Sequence, residues 1–285
     1  MMNAKKIISH IPVLPSLWKD IQNRIRFIRV SRLLNDAPYS RGKQLNELLH
    51  RYKQDLPQSD KDRIARIEAE RQNLLNSNEP LVDGSLGERG LYDAGIGIKE
   101  ACKVSKSPKP AKLLYLLTRA VEPKNVIELG TNVGISSAYI GSALQVNGMD
   151  GKLTTLDVSP YRQKIANEIH RNIGLENITY VEGLFTDTLK NTLRKIGTVD
   201  LAFIDGHHQY QPTLDYFEQI YTYSTPDAVF VFDDIRWSDG MKKAWAELKE
   251  DRRLGLVVDF YRFGVCVRSM PDIKERYIFP PLRLK

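Results

Sequence analysis

Residues 126–136 read Val-Ile-Glu-Leu-Gly-Thr-Asn-Val-Gly-Ile-Ser, and no other part of the chain says as much about its architecture. Val126 and Ile127 look like the end of a buried strand. Glu128 puts a carboxylate at the C-terminal tip of that strand, and Gly130 and Gly134 bracket a tight turn. Ile135 to Leu144 then follows a helical period. A strand, a glycine turn and a helix start together present backbone N–H groups and a helix N-terminus to a nucleotide-like ligand. The spacing is Glu-x-Gly-x-x-x-Gly, which differs from the Gly-x-Gly-x-x-Gly of dinucleotide binders. Candidate ligand contacts in this turn are Glu128, Gly130, Thr131, Asn132, Gly134 and Ser136.

From Lys124 onward, strand and helix patterns alternate. Strands are expected at 125–129, 152–157, 178–182, 199–205, 227–233, 254–260 and 262–268, and helices at 134–147, 160–174, 186–195, 211–222 and 238–250. Leu201-Ala-Phe-Ile204 and Val229-Phe-Val-Phe232 are apolar throughout, as suits strands covered on both faces of a parallel sheet. The last two strands lie nearly end to end, so they are expected to pair as an antiparallel hairpin at one edge. The turn motif and this layout resemble class I S-adenosylmethionine-dependent methyltransferases. The resemblance implies a Rossmann-like α/β fold: a seven-stranded, mostly parallel sheet with a terminal antiparallel hairpin, plus an N-terminal helical extension. Three zones follow: a basic extension (1–57), a mostly helical region on the lid or substrate side (58–122), and a cofactor-binding catalytic domain (123–285).

Bulk properties narrow the function classes. The 285 residues suffice for one large α/β core with an appendage. No apolar run reaches the roughly 20 residues of a membrane span, and the N-terminus lacks the pattern of a signal peptide. Cys102 and Cys266 form neither a disulfide framework nor a metal-type pair, so the cytoplasm is the default location. The net charge of +7 is uneven: residues 1–54 carry eleven Lys/Arg against three acids, leaving the remainder slightly acidic. The basic character therefore belongs to the N-terminal extension and argues poorly for nucleic-acid binding by the core. Arg24, Arg26, Arg29 and Arg32 lack the interleaved aromatics of an RNA-binding module, whereas residues 1–54 as a whole suit a weak peripheral membrane contact or a partner protein, and a helical arm of this kind also suits a homodimer.

The strand tips carry the chemistry. Asp157 ends the second strand, where a carboxylate can accept both ribose hydroxyls of a nucleoside; alternatively it serves the helix start at Ser159-Pro160. Gly183, Leu184 and Phe185 follow the third strand. In the family, this position borders the adenine ring, while Phe185 as ordinary core is the competing reading. The fourth strand runs into Asp205-Gly-His-His208 and the fifth into Asp233-Asp-Ile-Arg-Trp237, so three carboxylates and two imidazoles converge beyond the sheet edge. Such clustered acids call for a cation among them, and oxygen ligands favour Mg²⁺ or another hard divalent ion.

This constellation resembles the divalent-metal-dependent O-methyltransferases of the catechol type. The resemblance assigns Asp205, Asp233 and Asp234 to the metal and places the general base at His208. The catechol enzymes have lysine at that position, and a related sugar and macrolide branch has histidine. His207 is the second choice, with its side chain turned away. Similarity is greatest to a bacterial group with an Asp-x-Gly segment and a Ser-Pro pair upstream, matched here by Asp93-Ala-Gly95 and Ser107-Pro108, with Tyr92–Gly97 as a candidate lid. Trp237 is either a substrate wall or an interior anchor for the helix over 238–250. The implied reaction is methyl transfer from S-adenosylmethionine to the hydroxyl of a small molecule. Asp205-Gly-His-His, in place of the Asn/Asp-Pro-Pro-Tyr/Phe of amino-methylating enzymes, argues for oxygen as acceptor. Competing readings are an RNA-directed methyltransferase, a non-catalytic scaffold that binds the cofactor, an NAD-dependent oxidoreductase, and a metal-free arrangement with Asp233 or Asp234 paired to Arg236 or a lysine.

Overall fold

Alternation in two central strands sets the layering. In a computed structural model, which describes residues 14–81, 97–148 and 150–283, β1 (Asn125–Leu129) and β4 (Val199–Ile204) lie side by side, parallel and in register from Val126↔Leu201 to Leu129↔Ile204. Side chains two apart share a face. Val126, Leu201 and Phe203 therefore join one buried cluster, and Ile127, Leu129, Ala202 and Ile204 join the other. β2 (Lys152–Asp157) and β3 (Ile178–Glu182) extend the parallel sheet on one side of β1, and β5 (Ser224–Phe232) extends it beyond β4.

Beyond β5 come β6 (Leu254–Asp259), β7 (Gly264–Arg268) and β8 (Tyr277–Ile278). The full order is β3-β2-β1-β4-β5-β7-β6-β8. The antiparallel hairpin is present, but β7 is threaded inward between β5 and β6. The two-residue β8 then runs parallel to β6, making eight strands in this sheet among the described residues where seven were expected. A two-residue strand is too short to leave an alternation in the sequence.

The helices of the sheet domain are α6 (Ile135–Asn147), α7 (Pro160–Asn172), α8 (Phe185–Ile196), α9 (Tyr210–Tyr223) and α10 (Asp239–Glu250). Before them come α1 (Leu14–Asp36), α2 (Ser40–Lys53), α3 (Gln58–Asn76), α4 (Ile98–Lys103) and α5 (Pro108–Val121). Among the described residues these early helices share the main core: Val30, Leu34, Leu45, Leu49 and Leu114 belong to the same buried cluster as Val126, Val229 and Leu256. Arg41 ties α2 down, through Asp227 Oδ2 at 3.0 Å and the Val121 carbonyl at 2.7 Å. The outward stripe of α1 leaves Ile21, Ile25 and Ile28 exposed. No helix among the described residues is long and apolar enough to cross a membrane. The candidate lid at Tyr92–Gly97 lies outside the described residues except for Gly97, which bridges to Pro80.

At the last hairpin, a Cβ added to Gly264 would lie 2.3 Å from the Trp245 ring. Trp245 is 4% exposed and donates its Nε1–H to Asp259 Oδ2 at 3.1 Å. The buried anchor of α10 is therefore Trp245, whereas Trp237 is 64% exposed, which removes the interior-anchor reading of Trp237.

Candidate active site

The sheet order reverses between β1 and β4, because the chain leaves β1 toward β2 and returns on the far side. Ligands of open α/β sheets sit at the carboxyl ends of the strands beside such a reversal. Backbone bonds hold those ends together: Gly130 N–H donates to Leu156 O (2.9 Å), Asp205 N–H to Leu129 O (3.0 Å), Asp233 N–H to Ile204 O (3.0 Å) and Gly183 N–H to Asp157 O (2.9 Å). Gly130 has φ +102°, and a Cβ there would lie 2.2 Å from the Asp205 carbonyl oxygen. Only glycine lets the β1 turn pass so close to the end of β4. Gly134, with φ +82°, starts α6 without a side-chain cap.

The turn's polar side chains divide into those spent inward and those kept at the sheet edge. Glu128 is fully buried; it accepts from Thr155 Oγ1 at 2.7 Å and from the Ser136 and Ser137 hydroxyls. Burial, helped by the nearby Asp205 charge and opposed by the hydroxyl hydrogen bonds, pushes its carboxyl up to about 7. Thr131 is buried against Thr155, with the hydroxyls 2.6 Å apart. Glu128, Thr131 and Ser136 thus brace the turn from beneath. Asp157 lies at the tip of β2, where its carboxylate accepts from Asn132 N–H (2.7 Å) and Ser159 N–H (3.0 Å). Ser159 caps α7 through the Arg162 N–H. Asp157 therefore serves the helix start and also holds the glycine turn. Below it, His170 touches the Gly134 carbonyl at 2.7 Å and the Tyr180 hydroxyl at 2.5 Å, and burial lowers its pKa to about 4.

At the tip of β3, Gly183 takes φ +129° and Leu184 is exposed. Phe185 turns inward instead. Its ring meets His207 and Tyr216 edge-on, at 5.9 and 5.6 Å, and covers the Cα of Gly206. The structure thus gives Phe185 a packing role and leaves Leu184 as the apolar side chain at this edge.

The β4 and β5 tips bring the acid cluster together. Asp205, Asp233 and Asp234 surround the ammonium of Lys106, which is 3.2 Å from Asp205 Oδ1, 3.9 Å from Asp234 Oδ2 and in direct contact with Asp233. His208 Nε2 lies 3.5 Å from Asp205 Oδ1, whereas His207 turns away to stack on Tyr216, with its Nδ1 2.5 Å from the tyrosine hydroxyl. His207, His208 and Asp234 all adopt positive φ, a strained backbone for residues other than glycine. Arg236 binds Asp259 instead of the cluster.

The metal-free alternative allowed for a lysine beside Asp233 and Asp234, and the structure makes it Lys106, a residue that the sequence did not single out. It stands in the connection between α4 and α5, next to the Ser107-Pro108 pair that the resemblance had already marked. The Asn132 side chain holds this connection in place, donating to Ala101 O at 2.9 Å and Ser105 Oγ at 3.2 Å. The carboxylates expected to bind a divalent cation do meet, but around an ammonium. Among the described residues no group of His, Cys, Asp or Glu is arranged to hold a metal ion. As placed, these residues do not fit Mg²⁺, because Lys106 fills the space between the ligand oxygens. A nucleoside sulfonium cofactor does fit the uncapped helix start, the glycine turn and the Asp157 tip. Asn132 Oδ1 is also buried there, with no hydrogen-bond partner among the described residues.

Residues 127–235 match the family described as a methyltransferase domain. A catechol O-methyltransferase of Niastella koreensis is 31% identical over 134 residues, covering 46% of this chain and 58% of the relative. The chain spans about half the length of the curated relatives it matches. Among solved structures, an O-methyltransferase from Bacillus cereus in complex with SAH superposes with a TM-score of 0.54 at 22% identity, covering 72% of this chain and 91% of that one. The SAH-bound Podospora anserina methyltransferase PaMTH1 gives 0.55 at 15% identity, covering 82% and 97%. These structures share the fold of the sheet domain, including its mostly parallel sheet with an antiparallel edge.

Proposed function

We propose, on the premise that this chain carries a class I S-adenosylmethionine-dependent methyltransferase domain, that it moves a methyl group onto a hydroxyl of a small molecule. One observation carries the reading: the glycine turn, Asp157, His208 and the acid cluster, distant in sequence, meet at the carboxyl end of one sheet, across the strand-order reversal. When bound, the cofactor supplies a sulfonium methyl to an oxygen nucleophile in line with the breaking C–S bond and keeps the bonding pair on sulfur.

The chain's own residues then have separable tasks. The 130–134 turn and the first turn of α6 receive the cofactor's polar end, Asp157 receives the ribose, and Leu184 borders the base. His208 takes the acceptor proton as the new C–O bond forms, and Asp205 steadies the imidazolium that results. Trp237, exposed beside the Asp233–Asp234 turn, offers a flat wall for an aromatic acceptor. Positioning supplies much of the rate in such a displacement.

Calorimetric titration of S-adenosylmethionine into the wild type and Asp157→Ala tests the reading. Micromolar binding by the wild type is expected, with a loss of roughly 10²-fold in the variant, the magnitude of two charge-assisted hydrogen bonds. Asp157→Asn, which keeps one acceptor, falls between them. Failure of the wild type to bind would sink the proposal, and equal affinity in all three proteins would remove Asp157 from the site.

A further inference from the structure

We propose that the Lys106 ammonium is the resident cation of the acceptor site and that this domain works without a divalent metal. The inference rests on the methyltransferase reading and extends it to how the acceptor oxygen is held.

The placement of Lys106 is the central observation. Its side chain is 11% exposed, and the carboxylate side chains it meets are 1% (Asp233), 15% (Asp205) and 25% (Asp234) exposed. A divalent ion would need these same oxygens at about 2.0–2.6 Å. An ammonium touching one of them and lying 3.2 Å from another occupies that volume, so the two cations exclude each other. Asp233 is the deepest of the three, and its Oδ2 is buried facing the lysine. Without a cation it would be an uncompensated buried charge, which proteins tolerate poorly.

A mobile surface lysine would not make a constant cation, but Lys106 is not delivered that way. Its connection begins at the Asn132 latch on Ala101 and Ser105 and ends at Ser107 and Pro108, where α5 starts. The Asn132 backbone N–H is in turn held by Asp157. The motif loop thus fixes both the cofactor side and the segment that carries the cation.

This arrangement makes a chemical difference. An ammonium donates N–H bonds and, unlike a metal ion, has no adjacent coordination positions for two substrate oxygens. It can polarise a single hydroxyl while keeping its own protons. The acceptor's proton goes to His208, the C–O bond forms, and the C–S pair leaves with sulfur. The site therefore selects for one oriented hydroxyl and has no requirement for a vicinal diol, so monohydroxylated acceptors serve as well as catechols.

The test uses Mn²⁺ as the probe, titrated by electron paramagnetic resonance into the wild type, Lys106→Met, Lys106→Arg and Asp234→Asn. S-adenosylmethionine is titrated calorimetrically into the same preparations with a chelator present. Wild type and Lys106→Arg are expected to leave Mn²⁺ free up to about 1 mM, the weak end of carboxylate sites, while Lys106→Met gains a site at least ~10-fold tighter. Transfer to phenol or catechol, where measured, should stay within twofold when chelator is added. Stoichiometric Mn²⁺ binding by the wild type, lost in Asp234→Asn, would overturn the proposal, and that comparison holds even if Lys106→Met does not fold. Absence of S-adenosylmethionine binding throughout would remove the methyltransferase reading and leave the Mn²⁺ result interpretable on its own.

Discussion

Two buried titratable residues beneath the glycine turn pull stability in opposite directions with pH. His170 has its pKa lowered by burial from 6.5 to about 4, so the unfolded chain binds more protons there over that interval and stability falls as pH drops through it. Glu128 has its pKa raised by burial from 4.5 to about 7, so the folded chain binds more protons and stability falls as pH rises through that window. Each shift corresponds to roughly 3 kcal/mol at full titration. Urea unfolding of the wild type is therefore expected to be nearly flat between pH 4.5 and 6.5. Glu128→Gln should gain stability steadily with rising pH across that window, and His170→Gln should lose it. Flat profiles in both variants would show that neither residue is held as described. The sequence located Glu128 at its strand tip but could not show that Thr155, Ser136 and Ser137 would claim its oxygens. It allowed for a lysine beside Asp233 or Asp234 but could not point to Lys106, because an ion pair spanning about a hundred residues leaves no local pattern.

At the scale of elements, periodicity served well wherever alternation or apolar runs were long. β1, β2 and β3 fall at the expected 125–129, 152–157 and 178–182, and the buried runs of β4 and β5 set the centre of the sheet. The order of the last strands was less legible, because pairing partners depend on which face of the hairpin meets β5. That choice is enforced by contacts such as Trp245 over Gly264, which only the folded chain reveals. Gly264→Ala drives a methyl into that ring and is expected to cost ~1–3 kcal/mol by overpacking. A melting temperature several degrees lower and faster thiol labelling of Cys266, buried two residues along β7, should report it. Unchanged melting and labelling would mean that Trp245 moves aside freely.

Across the whole molecule, charge pointed to a basic appendage before the sheet domain, yet the apolar residues of that segment lie in the main core. Val30, Leu34, Leu45, Leu48 and Leu49 are all buried there. At about 1.5–3 kcal/mol each, they stabilise by an amount comparable to the typical net stability of a domain. Deleting residues 1–54 is expected to give an aggregating protein or one that unfolds without cooperativity. A soluble truncation melting within a few degrees of the full chain would show that the early helices are dispensable. Net charge is set by the exposed arginines, whereas attachment is set by the leucines between them, so composition alone could not reveal the shared core.

The inward position of β7 has a consequence for synthesis. The apolar edge of β5, Val229–Phe232, can pair with β4 as soon as both have emerged, but its other side waits for Val265–Val267. At about 5–20 residues per second, that interval lasts roughly 2–7 s. During that time the nascent chain presents the edge of a nearly complete sheet, the kind of surface that recruits a second chain. The yield of native protein in a cell is thus set partly by a race between translation of the last hairpin and capture of that edge by a neighbour or a chaperone.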